Sequence, residues 1–292
     1  MTIIPGEIKT ALLHQYLLGA IAPRPICFAS TMDSKGNPNL SPFSFFNVFG
    51  SNPPILVFSP SRRVRDNTIK HTLENIKETG EVVINVVNYA MVQQMSLSSC
   101  EYPRGVDEFI KAGFTKIPSE TVKPFRVAES PVQLECTVEQ VIETGTEGGA
   151  GNLIISRVVR MHILDDILDE ENRIDPHKIN LVARMGRDYY CRASGQAVFE
   201  VPKPNTQLGI GLDALPQSIR NSKILSGNDL GMLGNVHDLP AIDPAFDDVR
   251  VKEIVQYFAV NPGEMEQELH HYAKSLLIEG RIADAWQVLL AG

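Results

Sequence analysis

Apolar residues recur at helical spacing at Leu12, Leu13, Tyr16 and Leu17, which predicts a helix over residues 6–20. Pro23 and Pro25 stop it. "ICFAST" then reads as a strand and "MDSKGNPN" as a turn. "LSPFSFFNVFG" opens a second strand-like segment, "PPILVFSP" forms a third and "EVVINVVN" a fourth. Between the last two, Ile69, Leu73 and Ile76 give "VRDNTIKHTLENIKETG" a helical period that ends on Gly80, a favoured C-terminal residue. Residues 88–112 read as helix and loop. "PVQLECTVEQVIE" and "NLIISRVVRMHI" are two long β runs joined by the glycine-rich, hairpin-type "TGTEGGAG". "KINLVARMGRDYYCRAS" reads as a short strand or helix and then a turn. Many strands at short spacing, with few helices, favour a barrel over a doubly wound sheet for the first 200 residues.

The pattern changes near residue 200, so the expected division is 1–200 and 201–292. "VPKPN" reads as a linker or capping loop, and residues 205–245 are rich in Gly, Pro, Asn and Asp with little periodicity. Residues 249–290 read as helical, with "PGEMEQELHHYAKSLLIEGRIADAWQVLLA" forming a helical hairpin about Gly280. Such a hairpin resembles one unit of a helical repeat. One unit cannot bury its own face, which makes a tail packed on the core or on a second subunit the expected arrangement.

Composition narrows the function classes. A chain of 292 residues, 43% hydrophobic and 21% charged, can bury a sizeable core. Its net charge of −8 and lack of a dense Lys/Arg block exclude nucleic acid as the expected partner. No apolar run approaches the roughly 20 residues of a membrane span. "MTIIPGEIKTALLHQYLLGAIAP" is amphipathic, with an early Glu and no cleavage pattern after a basic region, so a cytoplasmic protein is expected. Cys27, Cys100, Cys136 and Cys191 stand singly, without CxxC or a His at ligand spacing, which argues for reduced, mostly buried thiols and no metal.

Three stretches carry candidate chemistry. In "PRPICFAST" the prolines stiffen the backbone around Arg24, whose planar guanidinium suits an anionic or planar ligand or else a salt bridge capping the first helix. In "SPFSFFN", Ser44 and Asn47 offer donors and acceptors beside Phe45 and Phe46, either for the edge of a planar heterocycle or in a core strand bulged at Pro42. In "SPSRRVRDNT", Arg62, Arg63 and Arg65 precede a helix starting near Asp66, Asn67 and Thr68, which reads as a phosphate site, ordinary capping, or both. No nucleophile elbow, Walker loop or HExxH competes, and "GIGLDALP" lacks the third glycine and the βαβ context of a dinucleotide fingerprint.

The run "GAIAPRPICFASTMDSKGNPNLSPFSFFNVFGSNPPILVFSPS…HTLENIKETGEVVINVV", followed by "GGAGNLIISRVVRMHI" and "LVARMGRDYYCRAS", resembles the flavin reductase-like proteins with an FMN-binding split barrel, from about Leu13 to Phe199. That group includes flavoredoxin-type proteins and the reductase partners of flavoprotein oxygenases. The resemblance implies a mainly β, six-stranded antiparallel Greek-key barrel with flanking helices, usually a homodimer with FMN near the interface. It implies that Ser44, Phe45, Phe46 and Asn47 line the isoalloxazine, and that Ser59, Arg62, Arg63, Asn67 and Thr68 lie near the ribityl phosphate. Met185, Gly186, Arg187 and Tyr189 would approach the flavin from a later strand or the partner subunit, and Arg24 would sit near ring or phosphate. The implied activity is an FMN-dependent oxidoreductase taking electrons from NAD(P)H, with an oxygenase or electron-transfer protein as possible partner. The chain departs from the pattern at His71-Thr72, where relatives often read Asp-Thr, which could shift the anion contacts along the helix. It also departs at Ala183-Arg184-Met185, which lacks the His that many reductases carry for nicotinamide. The second departure favours the alternative of an FMN-containing electron carrier without its own NAD(P)H site. His71, His162 and His177 are expected to be structural or surface residues.

Overall fold

A computed structural model describes residues 1–204 and 208–291. Asn205, in the expected linker, and the first residues of the aperiodic stretch after it lie outside the described residues. The chain divides into two compact units, Met1–Phe199 and Glu200–Gly292.

The first unit contains the strands β1 (Cys27–Met32), β2 (Pro38–Phe43), β3 (Phe46–Ser51), β4 (Pro54–Phe58), β5 (Glu81–Val86), β6 (Lys116–Ile117), β7 (Arg126–Val127), β8 (Val132–Glu143), β9 (Asn152–Ile163), β10 (Val182–Arg184) and β11 (Tyr190–Arg192). Its helices are α1 (Thr10–Ala20), α2 (His71–Thr79), α3 (Val92–Leu97) and α4 (Glu108–Ala112). Seven strands form one antiparallel sheet in the order β2-β1-β5-β8-β9-β4-β3, the split barrel of the expected class. The count is seven rather than the expected six. "LSPFSFFNVFG" is not one strand, because the chain leaves the ladder at Ser44-Phe45 and re-enters it as β3. β2 and β3 are the two edges of the sheet and are joined by this dipeptide, so the seam of the barrel falls at Ser44-Phe45.

The alternating apolar positions of the strands converge as the periodicity predicts. Phe58, Ile84, Cys136 and Ile154 form a core closed by Leu73 and Ile76 of α2. A second cluster, including Phe28, Leu40, Met91, Met95 and Phe109, packs β1 and β2 against α3 and α4. Gly80 ends α2 in the left-handed conformation, at φ 69°. The buried Glu135 carboxylate accepts the N–H groups of Glu120, Thr121 and Val122 and faces His162 Nε2 at 2.7 Å. Burial acts to raise its pKa, but these hydrogen bonds outweigh burial and hold it at about 2. Cys27 and Cys136 are buried, but Cys191 is only partly covered and Cys100 is exposed, so half the thiols depart from the buried expectation.

The second unit has the helices α5 (Gln217–Arg220), α6 (Gly227–Gly234), α7 (Val249–Tyr257), α8 (Pro262–Ile278) and α9 (Ile282–Leu289). The expected hairpin is α8–α9, turning through Gly280 at φ 77°. Its apolar face is covered within its own unit, contrary to expectation. Leu269, Ala273, Leu277 and Trp286 pack with Ile219, Leu233 and Ile254. The aperiodic stretch supplies α5 and α6, which are too short to give a period. A reciprocal capping box between Ser226 and Asp229 starts α6.

His270 on α8 is 4% exposed, and its Nδ1 lies 2.8 Å from Ser222 Oγ. That oxygen already accepts the N–H groups of Ile224 and Leu225, so its proton is directed to His270 Nδ1 and the imidazole is neutral. Burial lowers the His270 pKa below 6.5, with Glu266 opposing and His271 assisting. The unfolded chain therefore binds this proton more readily than the folded one. Its effect on stability is absent above pH about 6.5 and becomes destabilising as pH falls below that value. Trp286, the only tryptophan, sits in this core, so its fluorescence reports the unit. The denaturation midpoint followed at Trp286 should fall between pH 7 and pH 5, and His270→Gln should flatten that dependence.

Candidate functional site

The seam is organised by a buried cation. Arg24 is 5% exposed, and among the described residues no carboxylate accepts its hydrogen bonds. Its Nη1 donates to the carbonyls of Leu18 and Ile21 at the end of α1, its Nη2 to Met185 O at 2.9 Å, and its Nε to Ser44 Oγ at 3.4 Å. Its backbone exchanges two 2.9 Å hydrogen bonds with Arg184. Burial, then the neighbouring Arg184, lowers the Arg24 pKa. Arg24 thus caps α1 through carbonyls rather than through a salt bridge. It serves the site by holding Ser44 and the β10–β11 turn.

That turn contains Met185, Gly186, Arg187 and Tyr189. Gly186 lies against α1, where a Cβ would sit 3.2 Å from Gly19 Cα, so a side chain there is excluded unless the backbones separate. Arg187 takes the left-handed conformation at φ 55°, and Tyr189 is 71% exposed. Arg184 donates to Arg187 O at 2.8 Å and lies over the Tyr190 ring at 4.7 Å.

Two recesses draw their linings from neighbouring residues of the segments 41–44 and 95–101, and no described residue lines both. The wide one, of about 370 Å³, has a floor of Ile26, Phe43 and Met95 and polar groups from Ser44, Ser96, Ser99, Arg184, Asp188 and Tyr190. The narrow one is lined by Ser41, Arg63, Lys70, His71, Thr72, Ser98 and Glu101, among others. Asn39 and Ser41 of β2 line the narrow one and Pro42 and Phe43 the wide one, so we read the two as one trough along β2, with a broad, partly apolar end and a narrow end that carries Arg63 and Lys70 together with Glu101 and Glu108. The start of α2 opens on the cationic end. Lys70 stands at its N-cap with no side-chain capping bond, leaving the helix's first N–H groups and partial positive charge for an anion. Burial, then Arg63, lowers the Lys70 pKa, while Glu101 and Asp66 act in the other direction.

The arginine loop lies differently from expectation. The helix begins at His71, not near Asp66. Asn67 is left-handed at φ 55°, and the Asp66 carboxylate accepts both the N–H and hydroxyl of Thr68, which closes a turn where a helix was expected. Arg62 bonds Asn67 Oδ1 and O, and Asn67 Nδ2 donates to Thr146 O, so these two residues face the β8–β9 loop. The glycines of "TGTEGGAG" make that approach possible, since a Cβ at Gly148 would lie 2.9 Å from Arg63 O. Ser59 accepts Asn152 N at 3.0 Å and is buried. Arg63 lines the trough, held by Thr68 Oγ1 at 2.7 Å and Ile69 O at 3.1 Å.

Of the ring candidates, Ser44 lines the wide recess. Phe45 is part-exposed at the seam, edge-on to His14 at 6.1 Å. Phe46 packs on the core, and Asn47 points its Oδ1 back to Val48 N. The sequence reading missed Ser41, Lys70, Ser96, Ser99 and Tyr190. It did not place His71, Thr72 or Arg184 as lining residues. The position of "KHT" just before Leu73 and Ile76 was the one local signal for the first turn of α2.

Replacing Arg24 by Met should destabilise the first unit by about 2 kcal/mol, because three part-buried carbonyls lose their donor. Arg24→Lys should recover little, since an ammonium cannot span those carbonyls as the guanidinium fork does. Chemical denaturation followed by far-ultraviolet circular dichroism measures both.

Residues 19–182 match the family described as Flavin reductase like domain. A protein of Aquifex aeolicus is 34% identical over 201 residues, spanning 69% of this chain and 100% of that protein. The crystal structure of nitrilotriacetate monooxygenase component B from Bacillus cereus superposes with a TM-score of 0.64 at 28% identity, over 69% of this chain and 98% of that one. That of 2-nitrobenzoate 2-nitroreductase from Pseudomonas fluorescens gives 0.61 at 26% identity, over 69% and 96%.

Proposed function

The chain belongs to the flavin reductase-like domain family, and we propose that it binds FMN in the trough along β2 and passes reducing equivalents from NAD(P)H through it. The observation that carries this reading is the polarity of the trough. A cationic, helix-terminated end adjoins a wide recess with an apolar floor and a hydroxyl-lined rim. This donor set fits a planar heterocycle with a phosphate tail. Lys70, Arg63, Ser41 and the α2 N-terminus would hold the phosphate. Ser44, Ser96 and Ser99 would hydrogen-bond the ring edge, and Phe43 and Met95 would lie under it. Arg184 would place positive charge where reduced flavin becomes anionic. When bound, the flavin supplies hydride acceptance at N5, which needs no protein acid or base. The protein's part is to orient the ring and exclude water.

A second reading is favoured by the wide recess itself, which has no histidine lining it among the described residues. On that reading the chain is an electron-transfer flavoprotein that receives electrons from a protein partner. An oxygenase is the expected acceptor on the first reading, by likeness to a monooxygenase component.

Apo protein should quench FMN fluorescence on titration, and Lys70→Ala should weaken FMN about tenfold, roughly 1.4 kcal/mol, with riboflavin little changed. Anaerobic mixing of the FMN-loaded protein with NADH and then NADPH should bleach the flavin with one of them. No bleaching, with FMN still bound, selects the electron carrier. Absence of FMN binding removes both readings.

We also propose a homodimer built on the exposed apolar residues of α1 and β3. No residue of α1 is buried, and Leu17, Ile21, Val48 and Phe49 are all more than half exposed. Light scattering should give twice the 32.3 kDa chain mass, and Leu17→Glu with Phe49→Glu should give the single mass.

A further inference from the structure

Glu101 lines the narrow recess and engages two arginines at once, Arg63, which lines it too, and the exposed Arg65 beside it. Its Oε1 accepts from Arg63 Nε at 2.8 Å, and its Oε2 accepts from Arg65 Nη2 at 2.9 Å. Arg65, then Arg63, holds its carboxyl below the usual carboxylate range, so it is charged at neutral pH. A second carboxylate, Asp66, binds Arg65 at 2.8 Å, and Lys70 completes the group of cations. These arginines do not depend on Glu101 for their position. Arg63 is fixed by Thr68 and Ile69, and Arg65 by Asp66. Glu101 is half-exposed, so its pairs contribute little to stability. What it does contribute is a negative charge on the donors that an incoming phosphate monoester, at about −1.5 to −2, would need.

We propose that Glu101 is an internal counter-ion that competes with the flavin phosphate for Arg63 and Arg65, and that it thereby keeps FMN exchangeable rather than permanently held. The inference rests on the trough being the FMN site. Binding requires the guanidinium N–H groups to pass from the carboxylate to the phosphate, or the two anions to sit side by side. Either route weakens the grip on FMN and speeds its release. Riboflavin lacks the phosphate and is indifferent to Glu101. The effect is therefore one of specificity between phosphorylated and unphosphorylated flavin.

The test titrates apo wild type, Glu101→Gln and Glu101→Asp with FMN and with riboflavin by flavin fluorescence, and measures FMN release by stopped-flow dilution. Glu101→Gln should tighten FMN about tenfold and slow its release correspondingly, with riboflavin within about twofold. Glu101→Asp keeps the charge and should stay within about threefold of wild type for FMN. The proposal is overturned if Glu101→Gln binds FMN no more tightly than wild type, or if it tightens riboflavin equally. In both cases wild-type FMN binding still stands and the flavin reading survives. If wild type binds neither FMN nor riboflavin, the flavin reading falls and this inference falls with it.

Discussion

The arrangement of the first unit depends on a guanidinium buried without a carboxylate. Removing Arg24 from water is costly, and its hydrogen bonds to carbonyl oxygens and a hydroxyl offset that cost without neutralising the charge. Those acceptors belong to three separate segments: the end of α1, the seam residue Ser44 and the turn after β10. A lysine or an apolar residue could not join all three, because only a rigid fork of donors reaches carbonyls in different directions. The two flanking prolines of "PRP" hold the backbone that presents it. The arginine therefore positions the wall of the trough, with its donors committed to carbonyls and to Ser44.

From that clamp follows the location of the trough. A sheet that fails to close must leave edges, and edge strands expose groups that interior strands bury. Here both edges meet at Ser44-Phe45, so the one place where the barrel is open is also where a hydroxyl and aromatic surface stand together. Residues of α3 and of the segment after it line the recesses, and Lys70, His71 and Thr72 at the start of α2 line the narrow one. On the proposed reading, the cofactor occupies the seam because the interior is already filled by Phe58, Ile84 and Ile154.

The two long strands were legible in the sequence because β8 and β9 are continuous β-favouring runs, and their ends coincide with the quoted stretches to the residue or close to it. Gly80 was legible as a helix end for a local reason, its freedom at positive φ. The arginine loop was misread because its pairing is not local. Arg65 meets Glu101 across 36 residues and Asn67 meets Thr146 across 79, and neither partner is visible in a window of ten. The helix start was displaced for a local reason that composition hides. Asp-Asn-Thr can cap a helix or close a turn, and the left-handed Asn67 decides for the turn. In the second unit α8 and α9 carried a clear period, but the short α5 and α6 that complete its core have none, so the hairpin looked unpartnered.

The makeup of the wide recess bears on what the chain itself can contribute to a reaction. Its ionisable lining residues are Arg184, Asp188 and Tyr190, with three serines, and no cysteine, lysine or glutamate lines it among the described residues. Nucleophilic catalysis by a thiol or an amine therefore has no group to use in that recess. Such a pocket can bind, orient and bias charge, which suits chemistry carried by a bound cofactor. On the proposed reading the narrow end adds a separate control, because the balance of Arg63, Arg65 and Lys70 against Glu101, Asp66 and Glu108 would set how strongly the phosphate is gripped without altering the ring end. On the proposed reading, binding strength and redox environment are thus governed by different side chains, at the two ends of the trough.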